Sequence, residues 1–245
     1  MASVWMSLAR ADAKRIFRDR FLLLIATYLP LMALGFRWAI PALADTVHEQ
    51  LELRPYYPFI SAVLVLILPF VMGCVLGLQL LEEKDERSLS AVVVTPFSFG
   101  RYFLFRVLTY ACVGTLMLIL SHETMGLVRS ITLARLGVVA VAFSLSTALS
   151  ACVIGILAKN QVQGFAVLKG SGFLFTLPAL SFFVPTHWDL LFGVIPFYWP
   201  IKAYYVAVSG GSSVWFWAAV TLSFITQGGA FIPLYRMLNR RMRED

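Results

Sequence analysis

The sequence predicts an all-α polytopic membrane protein with six transmembrane helices. Two observations carry this prediction. First, 60% of the 245 residues are hydrophobic and only 13% are charged, whereas soluble domains carry about 25% charged residues. Second, six apolar runs are long enough to cross a hydrocarbon core, which takes about 20 residues. These runs cover residues 21–43, 57–81, 102–121, 133–158, 164–184 and 213–235.

The first twenty residues form an amphipathic segment ahead of the first apolar run. On a helical wheel, Arg10 and Lys14 lie on one side and Trp5 lies on the other. This pattern is typical of a helix that lies on a membrane surface. We therefore assign 1–20 to an amphipathic interfacial helix and 21–245 to a single transmembrane domain. A cleaved signal peptide is the alternative, but the apolar run that follows is longer than a usual signal-peptide core.

The distribution of charge sets the predicted orientation. An even number of spans puts both termini on one side, and the basic N-terminal segment and the arginine-rich tail mark that side as cytoplasmic. The loop 44–56 is net acidic, which places it outside. We expect a multi-pass protein of a bacterial plasma membrane with both termini in the cytoplasm. This topology accounts for the net charge of +7, so no nucleic-acid partner is expected.

Residues 188–208 are apolar, but two prolines interrupt them and Asp189 and Lys202 add charge. A seventh crossing would also put the arginine-rich tail outside, against the positive-inside rule. We therefore predict an external re-entrant hairpin between spans five and six. It should pack on the bundle, because non-helical backbone at membrane depth must be buried in protein. Its aromatic residues fit an interfacial belt or, alternatively, an exit for an amphiphilic molecule lined by Phe197, Tyr198 and Trp199.

Four basic residues fall within the apolar runs. Arg37, Arg106 and Arg135 lie near the ends of their runs, so we expect their side chains to reach the headgroups. Lys169 lies deeper, at about 8 Å for the helical rise of about 1.5 Å per residue. The Lys169 side chain either reaches the headgroups as well or faces a polar pore or a partner. No acidic residue lies near mid-membrane, which argues against a proton-coupled transporter.

Small residues recur at helical spacing in the second run. Gly73 and Gly77 form a GxxxG motif, which allows two helices to approach closely. The motif fits packing within the chain and also fits dimerisation.

Two motifs that would indicate an enzyme, a phosphate loop and an HExxH zinc motif, are absent from the sequence. It contains no GxxxxGK[ST] phosphate loop and no soluble part large enough for a nucleotide-binding domain. The pairs His48-Glu49 and His122-Glu123 each lack the second histidine of an HExxH zinc motif, and we expect both to lie in solvated external loops. We therefore expect a chain that is not an enzyme and holds no metal.

The connection 82–101 is the one dense polar stretch between apolar runs, and the predicted topology places it in the cytoplasm. It begins with several acidic residues, which stabilise the start of a helix. Pro96 would end that helix, because the residue before a proline is disfavoured in the α region. We predict a short cytoplasmic helix here. A plain polar connector on the membrane surface is the alternative.

The segment Ser88–Ser98, followed by Arg106, resembles the cytoplasmic loop of ABC-2 type transporter permeases. In that family an acidic run, a Thr-Leu-Glu-x-Leu-Leu-x-Thr-Pro-like segment and a basic residue lie between spans two and three. The amphipathic N-terminal helix, the six spans and the aromatic hairpin are similar as well. The resemblance thus extends over nearly the whole chain.

The resemblance implies a permease subunit that exports a hydrophobic or amphiphilic substrate of the drug, lipid or glycan class. A separate cytoplasmic ABC ATPase would bind ATP and Mg, so no cofactor is expected in this chain. A second permease copy, or a homologous permease, would complete the complex among the membrane lipids. The residues implied in contact with the ATPase are Glu82, Glu83, Glu86, Leu89, Val92, Thr95 and Pro96. A membrane-embedded lipid-modifying enzyme and a non-catalytic membrane scaffold are the alternatives.

Overall fold

A computed structural model of the chain describes residues 20–49, 51–86, 99–185 and 188–244. Across these residues every regular element is helical. The α-helices are α1 (Arg20–Val47), α2 (Tyr57–Val65), α3 (Leu68–Asp85), α4 (Phe99–Met125), α5 (Leu133–Leu157), α6 (Gln161–Thr176), α7 (Tyr198–Val208) and α8 (Ser213–Glu244). Three 3-10 helices cover Arg54–Tyr56, Leu177–Phe183 and Asp189–Val194. The predicted interfacial helix, and the predicted short helix ending at Pro96, lie outside the described residues.

Five stretches of the described residues are long and apolar enough to cross a membrane. They are Arg54–Asp85, Phe99–Met125, Leu133–Leu157, Gln161–Phe183 and Ser213–Met242, and they coincide with the second to sixth predicted runs. The chain is thus a multi-pass membrane protein, as predicted, and the part of it that the structure describes is all-helical. The first predicted run, 21–43, lies within α1 but is not among these five, so a sixth span stays a prediction.

The close packing of α3 on α5 forms the centre of the bundle. A Cβ atom on Gly77 would lie 2.8 Å from the Cβ of Ile154, and one on Gly73 would collide with Ser150. Only glycine permits such an approach of two backbones. The GxxxG motif is therefore used inside the chain, and its interpretation as a dimerisation motif is wrong.

Two predicted spans are interrupted where the sequence suggested continuous helices. The second span breaks at Leu66–Ile67, between α2 and α3, and the fifth changes from α6 to a 3-10 helix after Thr176. A proline follows each break, Pro69 and Pro178 respectively, as the second residue of the new segment. Proline has no backbone N–H and its ring collides with the preceding turn, so a regular α-helix does not continue through it.

The acidic residues of the polar connection do not begin a helix. Glu82, Glu83 and Asp85 lie in the last turn of α3, and Glu86 follows as its C-cap residue. The expectation that they start a short loop helix is therefore wrong. Carboxylates are unfavourable at this end of a helix dipole, so they need compensation from elsewhere in the molecule.

The two ends of the bundle differ in what they carry. At the end that we call the loop end, α3 stops and α4 starts on either side of residues 87–98. At the opposite end, the hairpin end, the segment 188–208 forms the 3-10 helix Asp189–Val194 followed by α7. The segment thus contains two short helical pieces in sequence, and its re-entry into the membrane from the external side stays a prediction.

Candidate functional site

A cluster of five polar side chains, four of them buried and one half-buried, lies between α3 and α4 near the loop end. Gln79 and Glu83 lie four residues apart on α3, and Tyr102, Arg106 and Tyr110 follow the same spacing on α4. Residues four apart share one face of a helix. Each helix therefore presents one polar stripe to the other, and we call these five residues the inner polar cluster.

Arg106 lies at the centre of the inner polar cluster. Its Nη1 donates to Glu83 Oε1 at 2.6 Å and to the Tyr102 hydroxyl at 2.9 Å. Its Nη2 donates to Gln79 Oε1 at 2.6 Å. One guanidinium group thus joins two positions of α3 and one of α4, which fixes the register of the two helices.

The two tyrosines complete the cluster. Tyr102 donates to Glu83 Oε2 at 2.9 Å, and Tyr110 donates to Gln79 Oε1 at 2.5 Å. The guanidinium carbon of Arg106 also lies 5.4 Å and 5.9 Å from the ring centroids of Tyr102 and Tyr110, within the range of a cation–π interaction. The positive charge is thus held by a carboxylate, an amide and two aromatic rings.

Burial makes the Arg106–Glu83 pair sensitive to the loss of either partner. The side chains are 1% and 5% exposed. Removing one member of such a pair leaves the other charge buried and uncompensated, at a cost of about 3–5 kcal/mol. The expectation that Arg106 reaches the headgroups is therefore wrong, because a partner on α3 neutralises its charge inside the bundle.

The predicted ATPase-contact residues divide into groups with different surroundings. Glu83 is buried on Arg106, Glu82 is half-buried and Glu86 is exposed. The remaining four, Leu89, Val92, Thr95 and Pro96, lie outside the described residues. Exposed Asp85 makes a further link, because its Oδ2 lies 3.4 Å from the backbone nitrogen of Gln161, the first residue of α6.

Lys169 lies on an exposed stripe of α6. Its side chain is exposed, and a Cβ atom on the neighbouring Gly170 would meet nothing within 4 Å. Val162 and Phe173 lie on the same stripe and are 80% and 67% exposed. This chain therefore leaves an apolar face of α6, with one lysine in it, open to lipid or to another protein, and the pore interpretation stays a prediction.

The three predicted exit residues occupy different depths in the hairpin. Tyr198 is fully buried, while Phe197 and Trp199 are half-buried. Trp199 Nε1 donates to the carbonyl of Gly193 at 3.0 Å, so the ring joins α7 to the preceding 3-10 helix. Tyr198 thus serves as a core residue of the hairpin, and a role for any of the three in substrate exit stays a prediction.

Lys202 and Asp189 form an ion pair within the hairpin. The side chains are 19% and 4% exposed, so this pair also neutralises charge inside the protein. Burial raises the pKa of the neighbouring Tyr198 phenol, and the negative charge of Asp189 raises it further. The two charges that interrupt this apolar stretch therefore join its two helical segments.

His122 lies in a helix and not in a solvated loop. It belongs to α4 and is 2% exposed, so the sequence-based placement was wrong. Its Nε2 lies 3.2 Å from the Tyr204 hydroxyl, which donates to Ser61 Oγ at 2.9 Å. Within the described residues, no group of three metal-binding side chains occurs. His122 instead connects α4 to the hairpin and to α2.

The fold and the site define a multi-pass helical membrane protein whose buried charges are paired inside the bundle. Residues 12–234 match the model of the family described as "Fluoroquinolones export permease protein Rv2686c-like". The chain therefore belongs to this family of export permeases, in agreement with its resemblance to ABC-2 type permeases.

Two proteins of Mycobacterium tuberculosis are similar to the chain. They are named fluoroquinolones export permease protein Rv2686c, from strain H37Rv, and fluoroquinolones export permease protein MT2760, from strain CDC 1551 / Oshkosh. Each is 28% identical over 207 residues, which cover 83% of this chain and 82% of the relative. The similarity therefore extends over most of both proteins.

Proposed function

We propose that this chain is the transmembrane permease subunit of an ABC exporter, which moves an amphiphilic substrate out of the cytoplasm with ATP hydrolysed by a separate subunit. Membership of an export-permease family supports a transport role. The observation that carries the coupling role is the Arg106–Glu83 pair, which ties the end of α3 to α4 on both sides of the polar connection.

The proposed contact with the ATPase lies in the connection 82–101 at the loop end. Here Glu82 and Glu86 would face the ATPase, with Leu89, Val92, Thr95 and Pro96 forming the rest of the surface. Glu83 takes a different part, because its carboxylate is held by Arg106 inside the bundle. A push on the connection would then move α3 and α4 together, since the inner polar cluster joins them. Differential contact energy of this kind is what coupling between two sites requires.

We propose the drug class for the substrate. The two relatives are named for fluoroquinolone export, and such compounds combine a flat apolar body with charged groups. ATP and Mg would bind to the partner ATPase only. In this arrangement the chain itself catalyses no reaction.

A second permease copy, or a homologous permease, would complete the transmembrane part. The exposed stripe of α6 supports this proposal. A lysine charge is costly among lipid tails, and a protein partner could supply polar groups to bind it. The outward face of α1 is also apolar, with Leu31 and Trp38 being 63% and 72% exposed. These two faces are the proposed contact regions.

Co-purification tests this function directly. The tagged permease is expressed together with candidate ABC ATPases from the same genome, and any complex is purified in detergent and reconstituted into liposomes. We expect an associated ATPase, vanadate-sensitive ATP hydrolysis and accumulation of a fluoroquinolone in inverted vesicles. Loss of all three would contradict the proposal, and it would leave the lipid-modifying enzyme and the scaffold as the functions to test.

A further inference from the structure

The proline breaks in the second and fifth spans lie beside one aromatic cluster. Phe70 follows Pro69, and Phe175 precedes Pro178 by three residues. The ring centroids of Phe70 and Phe175 are 4.6 Å apart, and the ring of Phe197 lies 6.1 Å and 5.0 Å from them. The two neighbouring spans therefore lose regular α-helical geometry at the same level of the bundle.

The segments beyond the two breaks pack on each other and on the hairpin. The ring centroids of Phe59 and Phe183 are 4.8 Å apart. Tyr205 donates to the carbonyl of Ala179 at 2.9 Å, and Tyr204 donates to Ser61 at 2.9 Å. Side-chain contacts thus join α2, the 3-10 helix Leu177–Phe183 and α7, and we call these three elements the outer block.

The segment on the other side of the first break is held by different partners. Thr147 Oγ1 donates to the carbonyl of Pro69 at 2.8 Å, and Ser150 Oγ donates to that of Phe70 at 3.0 Å. Both hydroxyls belong to α5, which runs without a break from Leu133 to Leu157. The first turn of α3 is thus fixed to a continuous helix, while α2 is joined to the other two elements of the outer block.

We propose that the outer block tilts as one body about hinges at Pro69 and Pro178, while α3, α4 and α5 keep their packing. A helix lacks a regular hydrogen bond where proline interrupts it, so bending is least costly there. Sharp kinks in helices occur mainly at such positions. This inference rests on the proposed function, because an exporter must open the end of the bundle away from its ATPase.

The tilt would change the contact between Tyr204 of the outer block and His122 of α4, a helix that stays in place. His122 lies on α4, outside the block, and the 3.2 Å separation of its Nε2 from the Tyr204 hydroxyl is that of an ordinary hydrogen bond. The net contribution of one such bond to stability is small, so its loss is compatible with a conformational switch. Because α7 also packs on α5 and on α8, the motion is a tilt of α7 against these helices and not a detachment of the hairpin.

Transport by proline variants provides the first test. The Pro69→Ala/Pro178→Ala double variant restores two backbone N–H groups and stiffens both spans. In the reconstituted complex, we expect fluoroquinolone transport to fall at least about fivefold, the lower end of typical coupling effects, while ATPase association and hydrolysis persist. The matched control is Pro233→Ala, since Pro233 lies inside α8 at a place where the helix continues. Wild-type transport by the double variant would overturn the hinge proposal and leave the proposed function intact.

The second test measures the distance between the outer block and α5, and it needs no ATPase. Spin labels are attached through Leu180→Cys in the outer block and Leu133→Cys at the start of α5, in a variant whose own cysteines are replaced. Both positions are exposed, at 44% and 63%. For the permease alone in lipid nanodiscs, we expect a broad distance distribution that narrows in the double proline variant. Equal widths would refute the hinge whatever the transport assay shows, whereas failure of an ATPase to associate would count only against the proposed function.

Discussion

Arg106 is nearly inaccessible to solvent, so its charge has to be neutralised within the bundle. Glu83 supplies the opposite charge, and Gln79 accepts a second hydrogen bond. Buried pairs of this type add little net stability compared with apolar packing, but they define which residues face each other. The value of this pair therefore lies in fixing α3 against α4 at the end where the polar connection begins.

A double-mutant cycle tests this pairing. Arg106→Met leaves the Glu83 carboxylate buried and uncompensated, so the free energy of unfolding should fall by about 3–5 kcal/mol. Adding Glu83→Met removes the stranded charge and should recover at least about 1 kcal/mol, a typical coupling between contacting residues. Unfolding in mild detergent provides the measurement. The control is Arg37→Met, because Arg37 is exposed and its Nη1 donates to a backbone carbonyl, that of Thr124 at 3.2 Å, and not to a buried carboxylate. Additive effects of the two substitutions would contradict the pairing.

The sequence did contain a signal for the inner polar cluster. It lay in the spacing of the polar residues and not in the position of Arg106 along its apolar run. Arg106 lies near the end of an apolar run, and an arginine in that place can reach the headgroups. The repeat of polar residues at Tyr102, Arg106 and Tyr110 places them on one helix face, opposite the Gln79–Glu83 pair of α3. Which face meets which helix depends on the packing of the bundle, and no local pattern determines that.

At the scale of helices, α3 is the element on which the bundle depends most. It packs on α5 through Gly73 and Gly77 and is joined to α4 through the inner polar cluster. Hydropathy predicted most of the helix positions, because a span needs about 20 apolar residues regardless of its neighbours. It could not predict the breaks before Pro69 and Pro178, since proline is tolerated in spans and the surrounding helices decide whether the helix continues.

The glycine contact between α3 and α5 gives a prediction with an internal control. Gly73→Ala places a methyl group into Ser150 and the backbone of Thr147, so the two helices must separate. We expect a loss of about 1–3 kcal/mol in the free energy of unfolding, typical of overpacking. Gly170→Ala adds the same methyl group where nothing lies within 4 Å, and it should leave stability unchanged or raise it by up to about 1 kcal/mol. Equal effects of the two substitutions in a thermal unfolding assay would show that α3 and α5 tolerate separation.

The polar connection leads to a functional prediction. A carboxylate in the proposed contact surface would oppose docking of an apolar helix face, so Leu89→Asp should uncouple ATP hydrolysis from export. We expect transport per ATP hydrolysed to fall at least about fivefold, while membrane insertion persists. Parallel measurement of vanadate-sensitive hydrolysis and fluoroquinolone accumulation in liposomes gives this ratio. Leu89→Ile is the control, as it keeps the apolar surface. A wild-type ratio for Leu89→Asp would exclude Leu89 from coupling.

At the scale of the whole molecule, we predict that the chain crosses the membrane six times. Five helical stretches are long and apolar enough, and α1 would be the sixth. The hairpin argues against a seventh crossing, because α7 covers only Tyr198–Val208 and 11 residues span about 16 Å at helical rise. That length is about half of a hydrocarbon core of about 30 Å.

Labelling of single cysteines tests this count. A variant without its three native cysteines receives one new cysteine at a time, and intact cells are treated with a membrane-impermeant maleimide. We expect Glu52→Cys and Ser212→Cys to react from outside, because they precede and follow segments that we place at the external face. Glu86→Cys and Glu244→Cys should react only after the cells are opened.

These four sites, together with a tag added before Met1, distinguish the possible topologies. If α1 does not cross, the first twenty residues lie on the same side as Glu52, and a tag added before Met1 becomes accessible from outside. If the hairpin crosses instead, Ser212 becomes protected and Glu244 reacts in intact cells. The six-span arrangement requires Ser212 outside and both termini inside, which also places the exposed Glu86 and the basic end of α8 on the side where an ATPase could bind.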